Sequence, residues 1–273
     1  MIDLTNIAFW YKKDKPVFSG LDLNLQKGAI YGLLGKNGAG KTTLLKIISG
    51  LLFPKQGTCH VINHKPGQRL PSFLSEVYYV PEELYIPSVK IKEFVNTYAP
   101  FYPRFDQARF DKYLDVFEIS AENKMDALSY GQKKKAILAF GLASNVQLLI
   151  LDEPTNGLDI PSKSQFRKVL TDAVSDEVTV IISTHQVRDL ASLMDPIIII
   201  ENGKVLLQMS IEEIARKYQF QLVPSLKAPK DALYAEPVPG GYLTINHNEE
   251  GKHTEVDIEA FFNAIVSKTP GLV

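Results

Sequence analysis

The residues most able to do chemistry begin at Gly35. Gly35-Lys36-Asn37-Gly38-Ala39-Gly40-Lys41-Thr42 matches the pattern G-x-x-x-x-G-K-[ST] in full. An apolar stretch, 29–34, runs into it and a helical pattern, 43–49, runs out. Glycines let backbone N–H groups close around a diphosphate, and the helix N-terminus adds the positive end of its dipole. Lys41 would reach the β- and γ-phosphates, Thr42 would ligate Mg²⁺, and Thr43 could touch the α-phosphate. A second group lies at Leu148-Leu149-Ile150-Leu151-Asp152-Glu153, an apolar strand ending in two acids. A buried strand that delivers carboxylates at its C-terminal end, in a chain with such a loop, is the arrangement expected for NTP hydrolysis. Asp152 would hold Mg²⁺ through water, and Glu153 would polarise the attacking water as general base.

These residues need a scaffold, and hydrophobic patterning outlines one. Residues 1–26 alternate apolar and polar positions (Ile2, Leu4, Ile7, Phe9, then Leu21, Leu23, Leu25) and read as antiparallel strands. Residues 57–63 and 76–80 read as further strands, the second ended by Pro81. From about Val89 to Ser144 the pattern is helical and aromatic, with Phe110, Tyr113, Leu114 and Phe117 at i, i+3, i+4, i+7 as a core face. Residues 147–151 and 178–183 are continuous apolar runs separated by a helical stretch, 162–174, as a parallel sheet with βα units requires. A third run, 196–200, ends at Asn202-Gly203, a turn leading into 204–208 as a hairpin. A helix at 211–217 closes this part.

Beyond about Tyr218 the composition shifts to prolines and glycines. Residues 232–235 and 242–246 could pair across Pro239-Gly240-Gly241. Asp257 reads as the N-cap of a helix carrying Ile258, Phe261, Phe262, Ile265 and Val266 on one face. The expectation is a nucleotide-binding domain over 1–215, with a helical subdomain at about 86–145, and a small ordered appendage over 216–273.

Composition narrows the function. The 273 residues are 45% hydrophobic and 22% charged with a formal net charge of −1, so nothing global points to nucleic acid or an anionic membrane surface. The single cysteine, Cys59, rules out an internal disulfide and suits a reducing cytosol. The start, Met1-Ile2-Asp3-Leu4, is not that of a signal peptide, and no apolar run approaches a membrane span. Cys59 and His60 are adjacent on a strand and point to opposite faces, so a metal site with His64 is not expected. The run Lys133-Lys134-Lys135 reads as a solvated or subunit-facing edge rather than a nucleic-acid site.

Over roughly residues 1–215 the chain resembles the ATP-binding subunit of an ABC transporter. Several motifs carry the resemblance in order: the loop at 35–42; Leu128-Ser129-Tyr130-Gly131-Gln132, similar to the family signature Leu-Ser-Gly-Gly-Gln; Asp152-Glu153; Leu158-Asp159 after Pro154; and Ser183-Thr184-His185. The fold implied is α/β: a P-loop NTPase with a RecA-like core, an N-terminal antiparallel β-subdomain, a helical insertion and the appendage. The resemblance implies that Tyr11 stacks on adenine, with Trp10 as the fallback. It makes Ser129, Gly131 and Gln132 the binding segment for the γ-phosphate held by an opposite subunit, places Asp159 in a loop that crosses the dimer interface, and makes His185 a switch at the γ-phosphate. Physically, Ser129 and Gly131 start a helix over 132–143, so hydroxyl, N–H groups and dipole face an anion.

Two departures stand out. Tyr130 replaces the first signature glycine, which removes backbone freedom but leaves Ser129 and Gly131 in place. Tyr79-Val80-Pro81-Glu82 stands where the family has Pro followed by glutamine; Glu82 can still accept from water or ligate Mg²⁺, yet it adds negative charge near the γ-phosphate.

The implied function is ATP binding and hydrolysis with Mg²⁺, with Lys41, Glu153 and His185 in the catalytic roles, driving a separate integral-membrane permease as an exporter. The tail segment 256–266 resembles a helical stretch that ends ATPases of the ABC-2 export type. An ATP-bound homodimer on the cytoplasmic face of the cell membrane is the simplest assembly. The competing reading is a soluble ABC ATPase in cluster assembly or on the ribosome; the single cassette argues against ribosomal members, and the stretch between Lys41 and Ser129 is too short for the coiled coils of repair members.

Overall fold

The computed structural model describes residues 1–249 and 251–272. Strands β1 (Ile2–Lys12) and β2 (Lys15–Leu25) form an antiparallel hairpin. Then come β3 (Ile30–Leu34), α1 (Lys41–Ile48), β4 (Gln56–Val61), α2 (Pro71–Leu74) and β5 (Val77–Val80). A helical stretch follows: α3 (Ile91–Tyr98), α4 (Gln107–Val116) and α5 (Tyr130–Ala143). The chain returns to β6 (Leu148–Asp152), α6 (Ile160–Ala173), β7 (Thr179–Thr184), β8 (Ile197–Glu201), β9 (Lys204–Met209) and α7 (Ile211–Lys217). It ends with β10 (Tyr218–Val223), β11 (Tyr234–Val238), β12 (Gly241–His247) and α8 (Ile258–Val266).

The central sheet has the order β5-β6-β7-β3-β8-β9, parallel except for the edge strand β9, which pairs antiparallel with β8. Strands β6 and β7 are buried along their whole length, which explains why they read as continuous apolar runs rather than alternating ones. The antiparallel sheet β2-β1-β4 does alternate, with Ile2, Leu4, Leu21, Leu23 and Leu25 buried and polar neighbours facing out. Strand C-termini on the central sheet point to one edge, where β3 feeds the glycine loop and β6 delivers Asp152. That shared edge assembles the site.

Helix α5 is buried from Lys134 to Ala143 and packs between α4 and α6. Phe140 is its aromatic hub, with ring centroids of Tyr78, Phe94, Tyr102, Phe105 and Phe110 at 5.1 to 6.3 Å. Phe110, Tyr113, Leu114 and Phe117 are buried against it, as their helical spacing predicts.

The C-terminal segment holds one strand more than its patterning suggests. Strand β10 pairs antiparallel with β12 from Tyr218↔His247 to Val223↔Tyr242, giving a sheet of order β10-β12-β11. The alternation Tyr218, Phe220, Leu222 follows a helix without any breaker, so no punctuation marks the switch of period. Asp257 caps α8 by accepting from Ala260 N–H at 2.9 Å. Ile258, Phe261, Ile265 and Val266 are buried and Phe262 partly so; they share a cluster with Val187 and Leu190, just past the end of β7.

Candidate active site

The loop between β3 and α1 is held open by glycine geometry. Gly40 caps α1 at φ 107°, and a Cβ there would stand 2.8 Å from the Phe18 ring. Gly35 is seated against β8, where a Cβ would meet the Ile200 carbonyl oxygen at 2.5 Å. Asn37, Gly38, Gly40, Lys41, Thr42 and Thr43 line a cavity of about 420 Å³, completed by Tyr11, Val17, Glu82 and Glu153. Gly35 and Ala39 lie behind this lining as support. Lys41 is buried, and its Nζ donates to the Gly35 carbonyl at 2.6 Å and the Lys36 carbonyl at 3.3 Å. Burial lowers the Lys41 pKa, and Glu153, Asp152 and Glu82 oppose that shift. Hydroxyls, a helix N-terminus and a buried ammonium on one glycine-rich wall form a donor set that fits a polyphosphate.

The acidic wall comes from the end of β6. Asp152 is fully buried and accepts from the Ser183 hydroxyl and, at 3.1 Å, from the Tyr79 hydroxyl. Burial and the neighbouring carboxylate raise the Tyr79 pKa, which keeps that phenol a donor. A carboxylate offers about four acceptor positions, so two hydroxyls leave capacity for the water shell of a divalent cation. The fit to Mg²⁺ held through water, with Thr42 as the direct ligand, is therefore good. Glu153 sits at φ 48°, a left-handed conformation unusual outside glycine, with its N–H donating to the Ser183 carbonyl at 3.0 Å. Its Oε1 lies 2.8 Å from His185 Nδ1 and 3.9 Å from Lys41 Nζ. The structure thus brings Lys41, Asp152, Glu153, His185 and Glu82 to one place.

Tyr11 stands half in solvent at 62% exposure, its hydroxyl 3.1 Å from the Thr43 hydroxyl and its ring edge-on to Phe9. It lines the cavity, whereas Trp10 does not.

Ser129, Gly131, Gln132 and Asp159 are not brought into this cavity. Ser129 and Gln132 form a reciprocal cap on α5: the Ser129 hydroxyl accepts from Gln132 N–H at 3.3 Å and Gln132 Oε1 accepts from Ser129 N–H at 3.0 Å. Asp159 caps α6 by accepting from Ser162 N–H at 2.8 Å, and hydrogen bonding from Ser162, through its hydroxyl first and its N–H second, lowers the Asp159 pKa.

The lysine run needs correction. It is not a solvated edge: Lys134 is fully buried and Lys135 nearly so, with only Lys133 partly open. Lys134 Nζ donates to the carbonyls of Glu153 at 2.5 Å and Asn156 at 3.2 Å. Lys135 Nζ reaches Gln165 Oε1 at 3.3 Å. The reason is that α5 is covered on all sides, so a lysine past its first turn must find carbonyls rather than water. The signal was present in the uninterrupted Ala136-Ile137-Leu138-Ala139-Phe140 that follows. Sequence reasoning also missed Tyr79 and Ser183 as partners of Asp152, because nothing in a strand's pattern says which neighbouring strand lies beside it.

The chain is similar to known proteins along most of its length. A family model described as ABC transporter matches residues 18–156, just over half of the chain. Nod factor export ATP-binding protein I of Burkholderia lata is 33% identical over 209 residues, covering 74% of this chain and 68% of that protein. The bacitracin transport ATP-binding protein BcrA of Bacillus licheniformis is 29% identical over 238 residues, covering 84% and 77%. Among solved structures, a dimeric ATP-binding cassette in a post-hydrolysis state, bound to ADP and Pi, matches with a TM-score of 0.69 at 24% identity, over 77% of this chain and 99% of that one.

Proposed function

The chain belongs to the ABC transporter family of ATP-binding subunits, and on that premise we propose that it hydrolyses MgATP in a head-to-tail homodimer to drive a separate membrane-embedded exporter. The observation that carries this reading is the division of the motifs. The loop and Glu153 line one cavity, with His185 bonded to Glu153 and Asp152 buried beside it at the end of the same strand, while Ser129 and Gly131 neither line that cavity nor bond to those residues. A chain with half a site on each of two faces completes both sites by pairing with a second copy.

In that pair, Lys41 and the loop amides stabilise charge on the transferring phosphoryl group. Thr42, with Asp152 and Glu82 behind it, would hold Mg²⁺, which supplies charge neutralisation between phosphates. Glu153 accepts the proton of the attacking water. His185 orients Glu153 through Nδ1, leaving Nε2 for the water or the γ-phosphate. Tyr11 stacks on adenine, Asn37 to Thr43 bind the phosphates from Gly35 onward, and Ser129, Gly131, Gln132 and Asp159 act on the partner's nucleotide.

Export as the direction is supported by a relative named for Nod factor export, and transport by one named for bacitracin transport. Among the described residues no helix is long and apolar enough to cross a membrane. Our reading places the permease on a separate chain and this one at the cytoplasmic face. We divide the chain into a cassette, 1–215, with its helical part at 86–145, and an appendage, 216–273.

Two measurements test this. Glu153→Gln should bind ATP, dimerise, and lose turnover by at least about 10²-fold; parent-rate hydrolysis would remove Glu153 as the base. A pull-down of the tagged protein from detergent-solubilised native membranes should bring a stoichiometric polytopic membrane protein. A purely cytosolic complex would replace the transporter reading with a soluble ATPase.

A further inference from the structure

We propose that Tyr130 is a positioning residue that ties the segment offered to a partner subunit to Glu82 in the nucleotide cavity of its own chain. This rests on the composite-site reading above. The Tyr130 hydroxyl donates to the Glu82 carbonyl at 2.8 Å. The Cδ1–Cε1 edge of its ring abuts Gly157, so closely that a Cβ on Gly157 would stand 2.6 Å from it. Gly157 is at φ +78°, and its missing side chain is what lets the ring sit down. A glycine at position 130 could make neither contact.

The other end of Glu82 is held as well. Asn156 Nδ2 donates to Glu82 Oε1 at 2.9 Å, and the Asn156 carbonyl accepts from Lys134 Nζ at 3.2 Å. The same Nζ binds the Glu153 carbonyl, and it lies 5.8 Å from the Tyr130 ring centroid. Two side chains from the first turns of α5, Tyr130 and Lys134, therefore converge on Glu82 and on the turn 153–157. Ser129 and Gly131 flank Tyr130 directly. Any shift of that segment on meeting a neighbour's phosphate must move the Glu82 backbone with it or break the bond. Engagement at one site is thereby read at the other.

Tyr130→Phe removes only the donor and keeps the ring on Gly157. Losing one such bond should lower kcat by about threefold to tenfold, while MgATP affinity and the thermal midpoint stay at parent values. In a Glu153→Gln background, where dimers form without turnover, ATP should slow amide exchange across 82–86. With Tyr130→Phe added, the dimer should form at the same ATP concentration but leave that exchange at the monomer rate. An unchanged kcat, a fall in kcat matched by loss of affinity or thermal stability, or unchanged exchange protection would each overturn the inference. Failure of Glu153→Gln to dimerise would instead overturn the composite-site reading, and this inference with it.

Discussion

His185 and Glu153 are joined twice: Nδ1 of the ring lies 2.8 Å from Oε1, and the His185 main-chain N–H donates to Oε2 at 3.4 Å. An ionised carboxylate only accepts, so Nδ1 carries the proton and Nε2 keeps its lone pair when the ring is neutral. On the proposed function, the general base is thus oriented by the residue assigned to the γ-phosphate. His185→Ala should lower kcat by about 10²-fold without loss of nucleotide binding. Trp10 is the sole tryptophan and is adjacent to Tyr11, so its fluorescence on ATP addition provides the binding measurement. Equal losses in binding and turnover would mean His185 is structural.

Glu82 occupies the cavity wall with its carboxylate held by Asn156. Glu82→Gln preserves that acceptor and removes one negative charge from the wall of the cavity proposed to hold the γ-phosphate. ATP binding should survive and kcat should rise severalfold, because the anion opposes charge accumulating there. Identical turnover in the two forms would place Glu82 outside the reaction.

Lys134 ties pH to stability. Burial pushes its amine down to about 8, against the opposing pull of Glu82, Glu153 and Asp152. Lys134→Met leaves the Glu153 and Asn156 carbonyls without that donor, at a cost of about 1–3 kcal/mol near neutrality. Between about pH 8 and the ordinary lysine value of 10.5 the unfolded chain still binds a proton that the folded chain has released. The parent therefore gains stability as pH rises through that window, and the variant does not. Urea unfolding from pH 7 to 10 should show the gap widening; a constant gap would refute the burial argument.

Phe140 touches five aromatic rings from α3, α4, β5 and their connections. Phe140→Ala should cost about 3–5 kcal/mol, read as a lowered denaturation midpoint. A loss below about 1 kcal/mol would mean the neighbouring rings collapse into the space.

Most of the scaffold was legible because its signals are local. Glycine spacing, the acids after β6 and the apolar runs each lie within a few residues, and a parallel strand buried on both faces has no other composition to show. Strand β10 was missed because it follows α7 with no breaker between them.

What the sequence by itself determined is the phosphate loop, the order of the strands along the chain and the identity of the acids. Tertiary structure alone decided which partners those acids have. Ser183 and Tyr79 come from the strands on either side of β6, and the Tyr130 hydroxyl meets a carbonyl 48 residues upstream. It also decided that Lys134 is buried, since a lysine's solvation depends on what covers its helix and not on its neighbours in sequence. Local pattern encodes a residue's own backbone state; hydrogen-bond partners are set by which strands and helices pack side by side.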